Sequence, residues 1–169
     1  MILVSPHRTI RMKRTTLSLA LIAILPILAH AQKNPGEAAT IDGIQVKGDA
    51  RPGAVVKVLV RVKLEKGFHV HSNKPSENNY IPTVITLEAP PGIKAGEIVY
   101  PKGKSLKVEG IEIPLSVYEG EFEIIVPLGL SAQAKLPAVI PAILRYQACQ
   151  GAHCYPPQRL KLEIKLPGS

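Results

Sequence analysis

Cys149 and Cys154 are the two cysteines of this 169-residue chain, and they lie in one segment, RYQACQGAHCYPPQ, from Arg145 to Gln158. Three chemistries fit such a pair. A structural bridge would close a loop of about six residues, and chain entropy credits so short a closure with about 2 kcal/mol, against more than about 4 kcal/mol for a hundred-residue loop. A staple placed for stability would do better joining distant segments. Thiol–disulfide exchange instead needs one sulfur within a partner's reach and a second close enough to release it through a mixed disulfide. Close spacing meets the second condition. His153 precedes Cys154, where an imidazolium would favour the thiolate, although a loop histidine facing solvent reads the same way. Tyr146 and Tyr155 flank the pair and could modulate it, and Pro156-Pro157 stiffens the exit. The third chemistry is metal coordination by His69, His71, His153 and the thiols, all suitable for soft or borderline ions. His69 and His71 are two apart and so share a strand face. Two histidines on a wet sheet face are common, however, and nothing in the sequence brings them to Cys149. Spacing alone leaves the structural and redox readings both open.

The segments that must position this loop are strands. Val56 to Glu65 places Val56, Val58, Val60, Val62 and Leu64 on one face, with Lys57, Arg61, Lys63 and Glu65 on the other. Period two over that length predicts a half-buried strand. Phe68 to His71, Ile81 to Glu88, Ile93 to Tyr100, Ile113 to Tyr118, Glu121 to Leu128 and Val139 to Tyr146 are further strand candidates. Arg159 to Leu166 closes with Leu160, Leu162, Ile164 and Leu166 alternating inward. Ser72 to Asn79 and Pro90-Pro91-Gly92 are turn chemistry. Pro101 to Gly110 is expected to be a long irregular connection, and Gln32 to Thr40 a flexible lead-in. Some eight strands with no helical period predict one all-β domain over residues 32–169, a β-sandwich with a small barrel as the second choice.

Residues 1–31 read as an export signal. Arg11 to Arg14 is a basic start, Leu17 to Ala29 an apolar run, and Ala29-His30-Ala31 a small-x-small cleavage site that predicts a mature start at Gln32. The stretch from Met12 makes a complete signal by itself. The run is short of the ~20 residues of a membrane span, and no second run of that length follows, so the expected product is soluble, periplasmic or secreted. Exported cysteines meet conditions where disulfides persist. The formal charge of +8 counts Arg8, Arg11, Lys13 and Arg14, and removing this acid-free segment halves it. No Lys/Arg cluster interleaves with aromatics, which argues against nucleic-acid binding.

The cysteine segment resembles that of the N-terminal periplasmic domain of the thiol:disulfide interchange protein DsbD, in which Tyr-Gln-x-Cys is followed by a short spacer and Cys-Tyr-Pro-Pro. GFHVHSNKP, IPTVITLEAPPGIKAGEIVYPKGK and YEGEFEIIVPL are similar to its strands, so the likeness runs from about Ile44 to Leu166. It implies an immunoglobulin-like β-sandwich and a redox role without cofactor or resident metal. By the resemblance, Cys149 and Cys154 pair in a disulfide, Cys154 forms the mixed disulfides and Cys149 resolves them. A loop bearing an aromatic residue caps the pair in this family. The matching region is Val99 to Lys104, with Tyr100 as the cap and Glu97 as a neighbouring acid. Implied partners are thioredoxin-like redox proteins or a DsbD-type membrane electron donor. No Cys-x-x-Cys occurs in the sequence, so the donor is expected to be a separate protein. The spacer QGAH is one residue shorter than in the family's best-known member. The other reading is a partner-binding, non-catalytic β-sandwich whose disulfide only rigidifies a recognition loop.

Overall fold

Alternating Val residues on an otherwise charged segment can bury one face only by pairing with neighbours in a sheet, and β2 (Val55–Leu64) does so on both edges. It lies between β1 (Ala39–Lys47) and β8 (Glu121–Leu130), and β5 (Ile93–Ala95) completes a four-stranded antiparallel sheet in the order β1-β2-β8-β5. Val56, Val58, Val60 and Val62 of β2 and Ile124, Val126 and Leu128 of β8 are buried, as the alternation predicts. The computed structural model describes Asn34 and residues 36–168. The signal segment and its cleavage site after Ala31 lie outside the described residues.

A second sheet has three strands, β4 (Val84–Leu87), β9 (Ala138–Tyr146) and β12 (Gln158–Leu166), in the order β12-β9-β4. Its inward residues Ile85, Ile140, Leu144, Ile164 and Leu166 join those of the first sheet in one core. Each fully buried aliphatic side chain of this kind contributes roughly 1.5–3 kcal/mol. A third sheet carries the cysteines. It comprises β3 (His69–His71), β6 (Lys104–Leu106), β7 (Leu115–Glu119), β10 (Ala148–Gln150) and β11 (His153–Cys154), ordered β11-β10-β3-β7-β6. Only Gln147 separates β9 from β10, so the chain passes from the core-forming second sheet directly into the cysteine sheet.

The described residues are all-β, with no helix, in a sandwich arrangement. Twelve strands form among the described residues where some eight were expected. The lead-in is shorter than predicted, because Ala38 and Ala39 are buried and β1 begins at Ala39. A register shift between Ile41 and Gly43 breaks the alternation of β1, and such a bulge hides a strand from a period-two reading. The connection from Pro101 to Gly110 contains β6, an edge strand too short and exposed to show a period. The Cys149–Cys154 loop is itself a hairpin.

Candidate functional site

Gly151 and Ala152 form the turn between β10 and β11. Gly151 has a φ of 54°, and a two-residue type II′ hairpin calls for glycine at its first turn position. The hairpin sets Cys149 directly opposite Cys154, with Cα atoms 4.0 Å apart and the sulfurs bonded at 2.04 Å. The Tyr155 N–H donates to the Ala148 carbonyl at 2.9 Å. The Gln147 side-chain amide donates to the Tyr155 carbonyl at 3.0 Å, and the Tyr155 hydroxyl donates to Gln150 Oε1 at 3.1 Å. These bonds hold the β11 side of the hairpin in place on both flanks of the disulfide.

The two cysteines differ sharply in access. Cys149 is 0% exposed, sealed between β11 and β3. Cys154 is exposed on β11, the sheet's edge. His153 beside it is also exposed and meets Tyr155 edge-on, with ring centroids 4.9 Å apart. Phe68 packs against Tyr155 at 5.9 Å.

Cys149 is the register partner of His69 on β3, which is in turn the partner of Glu119 on β7. Directly paired residues point to the same face, so this face runs from the disulfide to the histidines. At the histidines it is dry, in contrast to the expected wet face: His69 is 3% and His71 0% exposed. The His71 ring stacks on Tyr80, with centroids 4.3 Å apart and planes 16° apart. Neither nitrogen of His71, nor Nε2 of His69, has a hydrogen-bond partner. Desolvation, reinforced by the proximity of His69, lowers the His71 pKa to about 4. Burial also lowers that of His69, partly opposed by Glu119. The ligand atoms of His71, Cys149 and Cys154 all lie within 4.8 Å of one another. His69 and His153 do not belong to that group.

Tyr146 is a core residue whose hydroxyl accepts from the Ala39 N–H at 3.4 Å, and burial raises its pKa. Tyr100 is half-buried against the core, its hydroxyl accepting from the Ile85 N–H at 3.0 Å. Tyr100 and exposed Glu97 line a cleft of about 530 Å³ with Ser72, Asn73 and Ser116, and neither cysteine contributes to its walls. The aromatic ring stacked on His71, whose ligand atom lies near the sulfurs, is Tyr80. Sequence reasoning passed over Tyr80, although it is the lone aromatic residue at the end of a polar loop.

Fold and site together define a helix-free β-sandwich domain with one disulfide, half presented at a sheet edge and half kept inside. Among the described residues no helix is long and apolar enough to cross a membrane. The chain belongs to the family described as thiol:disulfide interchange protein DsbD, N-terminal, whose model matches residues 42–165. Among solved structures it is similar to the N-terminal periplasmic domain of ScsB from Proteus mirabilis, at 15% identity and a TM-score of 0.56 over 80% of this chain and 49% of that one. It thus spans about half the length of that structure, and the likeness shows a shared fold. It is also similar to the reduced N-terminal domain of DsbD from Neisseria meningitidis, at 23% identity and a TM-score of 0.45 over 66% of this chain and 78% of that one. A third similarity is to a complex between the DsbD N-terminal and PilB N-terminal domains of that organism, at 19% identity and a TM-score of 0.45 over 83% of this chain and 91% of that one. Comparison with curated proteins gives no match.

Proposed function

We propose that this protein is an exported thiol–disulfide exchange protein that relays electrons between periplasmic redox partners through Cys149 and Cys154. The observation that supports this reading best is the unequal burial of the two cysteines, Cys149 at 0% exposure on an inner strand and Cys154 on the edge strand of the sheet. Membership of a thiol:disulfide interchange family supports the same chemistry.

Reduction begins when a thiolate of a dithiol donor attacks Cys154 Sγ. The donor–Cys154 bond forms, the Cys149–Cys154 bond breaks, and Cys149 leaves as a thiolate that takes up a proton. The donor's second thiolate then attacks its own first sulfur and releases Cys154. Two electrons and two protons have passed to the pair, and the donor leaves as a disulfide. In the second half, the Cys154 thiolate attacks an acceptor disulfide and Cys149 resolves the mixed species. The donor and acceptor are of the thioredoxin-like class or a DsbD-type membrane donor, and the protein acts as a thiol–disulfide oxidoreductase.

Replacing Cys149 with Ala removes the resolving sulfur. The Cys149→Ala protein, activated as a thionitrobenzoate mixed disulfide and mixed with a reduced thioredoxin-like protein whose own resolving cysteine is replaced, is expected to accumulate a conjugate through Cys154, with release of thionitrobenzoate, that dithiothreitol dissolves. Cys154→Ala is expected to give at least tenfold less conjugate, because its remaining sulfur is buried. Equal trapping by the two variants, or none by either, contradicts the assignment.

A further inference from the structure

A buried polar group with no partner costs about 1–3 kcal/mol, and native structures rarely carry one without a reason. His71 carries two, Nδ1 and Nε2, at 0% exposure. The nearest groups able to satisfy a nitrogen lone pair through a shared ion are the two sulfurs. We propose that, once the disulfide is reduced, Cys149, Cys154 and His71 form a binding site for one thiophilic d10 cation, zinc or monovalent copper. The inference rests on the proposed function only in requiring that the disulfide be reducible.

Two thiolates and a neutral imidazole are the donor set that selects such ions. The three ligand atoms lie within 4.8 Å of one another while the disulfide is closed, and reduction frees the two sulfurs from their 2.04 Å bond to separate around a common ion. Stacking on Tyr80 engages one face of the His71 ring and leaves its in-plane nitrogens free to coordinate. Cys149 and His71 are held by the buried strands β10 and β3, while Cys154 on the edge strand supplies an approach from solvent. Each thiol gives up a proton on binding, so loading the reduced pair releases up to two protons and moves no electrons. The oxidised pair has no thiolate to offer and does not form the site. A loaded ion occupies both sulfurs and so competes directly with disulfide exchange.

The purified protein is reduced with a phosphine, freed of it without oxygen, and its thiols are counted. It is then titrated with zinc, and in a separate anaerobic arm with monovalent copper, each against a chromogenic chelator. The expected result is one ion per reduced protein in at least one arm, binding at least tenfold weaker in the oxidised protein, and at least tenfold weaker in reduced His71→Asn. X-ray absorption on the loaded wild type provides a second measurement should that variant fold poorly. It is expected to show two sulfurs and one nitrogen from imidazole in the inner shell. Failure of the two thiols to appear overturns both this site and the redox reading. Thiols without stoichiometric ion binding, unchanged affinity in His71→Asn, or a shell without imidazole overturns the metal site alone.

Discussion

A histidine ring sealed from water resists protonation, and His71 shows this with a pKa held near 4. The consequence for stability has a definite sign. Between the unfolded value of 6.5 and about 4, the unfolded chain takes up a proton that the folded protein refuses. Stability contributed by the neutral ring is therefore complete above 6.5 and is lost as pH falls toward 4. The shift corresponds to roughly 3 kcal/mol. His69 acts in the same direction. Carboxylates titrate in part of this range, so the measurement is a difference: urea unfolding of the oxidised protein at pH 7 and pH 4, beside His71→Phe, which keeps a ring to stack on Tyr80. The variant is expected to lose less stability than the wild type across that interval, and equal losses would refute the account of His71. At this scale the sequence was informative about the cysteines, because their spacing and Cys-Tyr-Pro-Pro setting are local. It offered His71 as a candidate ligand without placing it, since only the pairing of β3 with β10, segments far apart in the chain, brings that ring to the sulfurs.

The cysteine hairpin is an element that the strand pattern could not reveal. β10 and β11 are too short to show a period, and the turn between them rests on one glycine. Gly151 has a positive φ, and a Cβ added there would meet nothing within 4 Å. The cost of Gly151→Ala is therefore that of the backbone conformation, about 1–2 kcal/mol. We expect its urea midpoint to fall accordingly with no change in the slope of the transition. A destabilisation above about 3 kcal/mol would mean that the turn bears contacts beyond its own geometry. The long strands were legible for the opposite reason. β2, β8 and β12 alternate over their whole lengths because each has one buried and one wet face, whereas the bulge in β1 and the exposure of β6 erased the signal there. The Tyr100 hydroxyl ties the connection before β6 to Ile85, beside a cleft that the cysteines do not line.

In the whole molecule, the aliphatic core and the cysteine sheet perform separable tasks. Leu144 is fully buried on β9, in the second sheet rather than in the cysteine hairpin. Leu144→Ala is expected to cost about 2–5 kcal/mol yet to leave the rate of reduction by thioredoxin within about twofold at temperatures where the variant stays folded. A larger loss of rate would show that core packing and sulfur access are coupled. The proposed export belongs to the scale of the entire chain as well. Expression in a bacterium with a periplasm is expected to yield a periplasmic product beginning at Gln32, and intact mass gives the answer directly. The central claim is that the Cys149–Cys154 bond is exchanged in use and does not merely staple a loop. Its reduction potential, measured by equilibration of the purified protein with thioredoxin, tests that most directly. The account predicts a value above about −300 mV, within reach of thioredoxin at about −270 mV. A value well below −300 mV, in the range of structural bridges, would contradict it.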